Sequence, residues 1–513
     1  MKTSGAVIAL AGAGLKTAQA YVPAHNWDKY DFGPGPQVKD RLYQGPFPQY
    51  APEEIVPGSD VVMATTPSKE IVPNYGMGLT VYISGDYWPP RTRGDSIEKY
   101  CEDLVSLPFV QKMYVRLNWR DIQKKPGKID FPEGWKVAFD MAKKYQKRVC
   151  FRIMLENPDF EQPGMPEFLM EKVPYVKLKG EWKRNSTDTR YTKVHEMPQY
   201  DHPAYQAAFR EMNELLAAEL NGNPLVEYMD TMMYGFWGEG HTWPYEGHPF
   251  ADDQTAEDTF VKMFETQLEI WNKIPLVTNT QPDFSRVGNN ELLERTIRSH
   301  NWIRTDTIFI ENAQIEALSN RPPWVAAISE VGITTGEEKA LGIVEGITRN
   351  ENIIAHVMDV GANYWSVWHW HNISVKNIMG YYEKYPQPID QIARRIGYRL
   401  RPSFIWSYEK DNHPGLVMGF ANDGIAAVPG VLRVNVCRED GTIINGGCLD
   451  AGYPLPGKIR QAQFVLPPGT DWKGLIVKAE LEVKGMRYSV RWACHQKTNE
   501  DGSLTLRSNL RSE

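Results

Sequence analysis

Cysteine is scarce, five in 513 residues, which is too few and too odd a number for the dense disulfide framework of a small secreted module. Cys150 lies inside an apolar run and reads as a small core residue; Cys437 and Cys448 are close enough in sequence that a bridge between them stays open. No apolar run approaches the roughly eighteen residues that a membrane span needs. Positive charge is not in excess: 57 Lys and Arg face 64 Asp and Glu, a net charge of −7, so a dedicated nucleic-acid binder is disfavoured. Internal repeats and low-complexity tracts are also missing, and no Gly-rich dinucleotide fingerprint follows the first strand-like run, which argues against a doubly wound nucleotide-binding sheet.

What remains is a large globular chain. Charged residues at 24% and hydrophobic ones at 42% are ordinary folded values. The length suits a barrel of about 250 residues or more plus a smaller module. Aromatics are plentiful at 12%, with 16 Trp and 25 Tyr. At the N-terminus, Lys2, the small apolar run Ala6 to Leu15 and the Ala18-Gln-Ala20 site read as an export signal over residues 1–20, although Lys16 behind the run is unusual. The expectation is a secreted or periplasmic protein; a flexible terminus is the alternative.

From Tyr75 onward strand-like and helix-like runs alternate, the mark of a parallel α/β fold. Eight strand candidates are counted: 79–84, 112–117, 148–154, 228–234, 275–278, 307–310, 324–329 and 362–367. Amphipathic stretches fall between them. The one from Asp95 places Ile97, Cys101, Leu104 and Val105 on one stripe. The expected fold is a (β/α)8 TIM barrel over residues 75–401. After Arg401-Pro402 the pattern changes to short alternating strands, with Asp440-Gly441 as a hairpin turn, so residues 402–513 read as an antiparallel β-sandwich. Residues 21–74, rich in Pro and Gly, are expected to wrap the barrel as irregular structure.

Barrel sites are built where strands end and loops begin. Tyr234-Gly-Phe-Trp-Gly-Glu239-Gly-His-Thr-Trp243 follows the fourth strand-like run and places a carboxylate, two indoles and an imidazole there. About ninety residues later Trp324-Val-Ala-Ala-Ile-Ser-Glu330 again ends a strand in a glutamate. Two strand-end carboxyls among tryptophans are what hydrolysis of a glycosidic bond needs: one protonates the leaving oxygen, the other attacks or stabilises the sugar cation, and indole faces stack on pyranose rings. Other polar and aromatic side chains crowd the same rim: Arg116, Asn118, Trp119, Arg152, Trp237, His241, Asn279, Glu311, Trp365 and Trp368. Each has a plainer reading. The arginines pair equally well with core acids, the indoles fill cores, and Glu156 and Glu311 are rival carboxylates that suit salt bridges. His241 with His369 and His371 could hold a metal, since residues two apart in a strand share a face, but sugar contact is simpler among tryptophans and no metal or cofactor is expected.

Arg116-Leu-Asn-Trp119-Arg-Asp-Ile-Gln-Lys-Lys-Pro126-Gly127-Lys-Ile-Asp130-Phe131 with Arg148-Val-Cys-Phe-Arg152-Ile resembles the second and third strands of the clan A glycoside hydrolases, in the style of the family 42-type β-galactosidases. The chain is also similar to bacterial barrels that carry a Gly-Phe-Trp-Gly-Glu loop and a C-terminal β-sandwich. The resemblance implies an acid/base after strand four and a nucleophile after strand seven, positions that match Glu239 and Glu330. It departs at Gly238, where the clan has an asparagine for the substrate 2-hydroxyl; Asn118 is a candidate for that contact. The resulting expectation is a retaining hydrolase of a β-linked oligo- or polysaccharide, with Glu239 protonated by burial against Trp237 and Glu330 ionised. A catalytically silent sugar-binding barrel is the alternative. The 156–201 insertion, with Lys172, Lys177, Lys179, Lys183, Arg184, Arg190 and Lys193, suits an acidic or sulfated glycan or simply a solvated loop.

Overall fold

The protein is described by a computed structural model covering residues 32–47, 60–84, 96–158, 163–183, 191–280, 288–305, 318–330, 332–333, 349–367 and 375–508. The expected export signal, Glu311, Trp368, His369 and His371 lie outside the described residues.

Eight parallel strands close into a barrel: β1 (Gly78–Ser84), β2 (Lys112–Asn118), β3 (Arg148–Met154), β4 (Val226–Asp230), β5 (Leu276–Asn279), β6 (Trp302–Thr305), β7 (Ala327–Ser329) and β8 (Tyr364–Ser366). They run in chain order, and β8 returns to β1 with Trp365 opposite Leu79. The expected barrel is therefore present. The sixth strand is Trp302–Thr305, where Val277 and Thr278 of β5 pair with Trp302 and Ile303, while the expected 307–310 run lies outside the described residues. Both runs are short and rich in β-formers, so local pattern alone could not choose between them.

Strand periodicity sorts the core. Val81, Ile83, Met113, Val115, Phe151 and Ile153 point outward and pack under the helices. Alternate residues Tyr82, Tyr114, Cys150, Tyr228, Trp302, Ile328 and Tyr364 belong to a second cluster that fills the barrel. The helix Ile97–Val105 shows the outer layer's logic: Ser96 caps it by accepting from Lys99 N, and Ile97, Tyr100, Cys101, Leu104 and Val105 form its buried stripe.

Below the barrel, two antiparallel sheets share one hydrophobic core. One runs in the order Tyr43–Gln44, Ile459–Val465, His413–Asn422, Leu400–Lys410, Asp60–Ala64; the other is built on Val431–Cys437 and Ile476–Val483. The N-terminal segment thus adds an edge strand on each side of the first sheet, where irregular wrapping was expected. Two- and five-residue strands carry too little alternation to be seen without their partners. The 156–201 insertion forms a hairpin, Tyr175–Lys183 with Tyr191–Pro198, that pairs further with Tyr245–Glu246 beyond the strand-four loop. All five cysteines are buried free thiols, so Cys437 and Cys448 are not bridged. Among the described residues no helix is long and apolar enough to cross a membrane.

Candidate active site

The inward alternation that puts Tyr114 in the barrel's middle puts Arg116 one layer higher, and the register brings Arg152 beside it on β3. Asp230 ends β4, Arg304 lies on β6 and Glu330 directly follows β7. Five ionisable side chains from five strands therefore converge at the C-terminal mouth, and each is at most 5% exposed.

Glu239 reaches the same point from a loop. Gly235, Gly238 and Gly240 have φ of +79°, +76° and +79°, and Trp237 itself is at +54°. Phe236 N donates to His241 O, Gly240 N to Tyr234 O and Glu239 N to Phe236 O, so the segment folds back on itself. A side chain at Gly235 would put its Cβ 2.0 Å from His241 O, which explains the glycine there. Outside contacts fix the loop: Trp237 N donates to Glu156 O, Arg152 Nη1 to Trp237 O at 2.7 Å, and Asn279 Nδ2 to Glu239 O at 3.0 Å.

The two glutamates share a guanidinium. Arg116 Nη2 lies 3.6 Å from Glu239 Oε1 and 3.4 Å from Glu330 Oε2. By the sum of these contacts the two oxygens are at most about 7 Å apart, which admits the short separation of retaining glycosidases and excludes the long half of the inverting range. Arg152 Nη1 donates to Glu239 Oε1 at 2.9 Å, and His241 Nε2 sits 3.2 Å from Glu239 Oε2. Arg304 Nη2 contacts Glu330 Oε2.

Their ionisation differs from expectation. Burial works against the Glu239 charge, but His241, Arg152 and Arg116 outweigh it and hold the carboxyl down at about 2. Burial and the Glu239 charge push Glu330 up to about 7, against the pull of Arg116 and Arg152. Direct contact with Arg304 pulls it back in the same sense as those arginines. The expected raised Glu239 is therefore corrected: Trp237 flanks the loop, yet the carboxyl itself meets two guanidiniums and an imidazole. Of the two, Glu330 is the carboxyl that burial and its neighbour's charge push toward the protonated form.

The other predicted residues divide. Arg116, Arg152, His241 and Asn279 touch the glutamates or their loop, as above. Trp237 is partly buried, with its ring 5.7 Å from that of His241. Asn118 crowns β2 and donates to Asp121 Oδ2 at 2.9 Å. Trp119 and Trp365 do not reach the mouth. Both are fully buried in the layer between strands and helices, Trp119 donating to Gln123 and packing edge-on to Tyr205. Trp365 follows inward-facing Tyr364, so alternation turns it outward. Glu156 is a structural partner: fully buried, it accepts from Gly164 N at 2.6 Å and lies 2.9 Å from His195 Nε2.

Sequence reasoning missed Asp230 and Arg304. The strand-like run 228–234 places Asp230 in mid-strand, and Arg304 precedes the expected 307–310 run. Placing β6 two residues earlier than Arg304 would have exposed the latter. Among the described residues no group of three His, Cys, Asp or Glu side chains is arranged to hold a metal ion.

No family model matches the chain, and no curated protein matches it. Solved structures do. A β-galactosidase from the psychrophilic Marinomonas ef1 aligns at 13% identity over 57% of this chain and 54% of that one, with a TM-score of 0.33. Endo-glycoceramidase II from Rhodococcus sp., as a lactosyl-enzyme intermediate, aligns at 10% identity over 78% and 100%, TM-score 0.35. The catalytic domain of a β-amylase from Paenibacillus polymyxa aligns at 9% identity over 61% and 99%, TM-score 0.40. The chain thus spans about half the length of the first of these. None of them assigns a residue or a substrate to this protein, and the barrel rests on its own strand pairing.

Proposed function

We propose that the protein is a glycoside hydrolase acting on a β-linked oligo- or polysaccharide, exported by its N-terminal residues, with Glu239 and Glu330 as the catalytic pair. The observation that carries this reading is the shared arginine: two buried carboxyls meet one Arg116 nitrogen at the mouth of a barrel, close enough to act on one bond. Pairs whose environments separate their pKa values mark acid and base roles. In the free site that separation gives Glu330 the proton and leaves Glu239 ionised, to attack the anomeric carbon or stabilise its cation. This reverses the roles expected from strand order. Exchanged roles are favoured by one observation: Glu239 Oε2 faces an imidazole, a route for protons, whereas the partners of Glu330 among the described residues are guanidiniums.

A silent sugar-binding barrel is the second reading. It is favoured by how fully arginines neutralise both carboxyls, and by Gly238 where a 2-hydroxyl ligand was expected.

The test uses Glu239→Ala and Glu330→Ala with a panel of 4-nitrophenyl β-glycosides and added azide. Loss of turnover in both, with azide giving glycosyl azide of inverted configuration from only one, identifies the nucleophile. Wild-type protein that binds oligosaccharide and turns over none of the panel supports the silent barrel.

A further inference from the structure

Asp230 is in no role assigned above, yet it is the best-connected carboxylate of the mouth. One oxygen, Oδ2, accepts from Tyr114 Oη at 2.5 Å, Arg152 Nε at 2.9 Å and Arg304 Nη1 at 2.6 Å, with Arg152 Nη2 at 2.8 Å. Oδ1 is buried and has no hydrogen-bond partner among the described residues. The two arginines are thereby divided. Arg152 turns its remaining nitrogen, Nη1, to Glu239, and Arg304 turns Nη2 to Glu330. Without an anchor, a long guanidinium side chain between two glutamates has several ion-paired arrangements to choose from. With one, each arginine is committed to one glutamate.

We propose that Asp230 is the positioning residue of the site: through one oxygen it holds Arg152 toward Glu239 and Arg304 toward Glu330, and so sets how positive charge is shared between the two glutamates. The inference rests on the catalytic reading of that pair. The ionisable groups around Asp230 are Tyr114 and Arg116 on β2, Cys150 and Arg152 on β3, Tyr228 on its own strand, and Arg304 on β6, with Glu330 and Glu239 beyond the arginines. Removing the Asp230 charge takes away the negative group that shares these two guanidiniums with the glutamates, so their positive charge bears on Glu239 and Glu330 alone. Each glutamate is then easier to ionise.

The test follows carboxyl titration by carbon-13 NMR in protein labelled at the glutamate side-chain carboxyl, with the signal of Glu330 identified by its disappearance in Glu330→Gln. Asp230→Asn should lower the Glu330 titration by about one to two pH units, the size expected for one charge lost a few ångströms away in a protein interior. Asp230→Glu, which keeps the charge, should leave it within about half a unit. An unmoved titration in Asp230→Asn overturns the proposal. Should that variant not fold, wild-type protein labelled at the aspartate carboxyls decides. Burial raises the Asp230 carboxyl while Arg152, Tyr114 and Arg116 pull it down, so the carbon-13 shift at about pH 7 decides: every aspartate at the ionised-carboxylate shift supports a charged anchor, and an aspartate at the protonated-carboxyl shift refutes it. None of these signals needs turnover, so a silent barrel would fail the catalytic reading and leave this result legible.

Discussion

Replacing His195 by alanine tests how the hairpin of Tyr175–Lys183 and Tyr191–Pro198 supports the Glu239 loop. His195 and Glu156 are both 0% exposed, 2.9 Å apart, with the imidazole edge-on to Phe236 at 4.8 Å. Glu156 in turn gives its carbonyl to Trp237 N and forms a β-bridge with Phe236, inside the loop that carries Glu239. Burial raises the Glu156 pKa, and the bond and charge of His195 pull it back. Without the imidazole the carboxyl keeps one backbone donor, Gly164 N. Breaking a buried pair from one side costs about 3–5 kcal/mol while the remaining group is charged, falling to about 1–3 kcal/mol once protonation leaves only an unmet hydrogen bond. A raised carboxyl contributes its full stability below its unfolded pKa and loses it as pH rises through the folded value. Removing His195 raises that value further, so the deficit of His195→Ala must grow from pH 5 to pH 8. Guanidinium denaturation followed by tryptophan fluorescence at both pH values measures it. Equal deficits at the two pH values, or none, would refute the reasoning.

Other consequences are equally direct. Gly235→Ala cannot place its Cβ beside His241 O and should abolish turnover and lower the melting temperature, whereas Gly247→Ala, at φ +82° with open space around it, should cost only about 1–2 kcal/mol and keep activity. With Glu330 as the proton carrier, kcat/KM should fall as pH rises through about 7, because only its protonated form donates; activity rising through the same pH would assign the ionised form and exchange the roles. Lys112→Met removes the buried ammonium 2.7 Å from Glu227 at the opposite end of the barrel and leaves that carboxylate Gly76 N, Tyr364 Oη and the more distant Arg148. It should destabilise by about 3–5 kcal/mol, seen as a lower denaturation midpoint, while kcat of the folded protein stays unchanged.

The barrel was legible because its strands are punctuated by helices with clear apolar stripes, such as 97–105 and 203–220. The glutamates were legible because both end apolar runs, and Arg116 and Arg152 because they sit two residues beyond inward core positions. Three things were not. Arg304 depends on which of two neighbouring β-rich runs pairs with β5, a non-local choice. The strands 43–44 and 60–64 gain their pattern only from partners more than three hundred residues away. The low pKa of Glu239 comes from His241 in its own loop and from guanidiniums on β2 and β3, and the loop's residues announce the imidazole but not the arginines.

The central claim is that Glu239 and Glu330 cleave a β-glycosidic bond with retention. It is tested most directly by proton NMR of the first-formed anomer during digestion of neutral, acidic and sulfated β-glycans. The account predicts β-anomer first, decaying to the mutarotation equilibrium; α-anomer first, or binding with no product from any glycan, would contradict it.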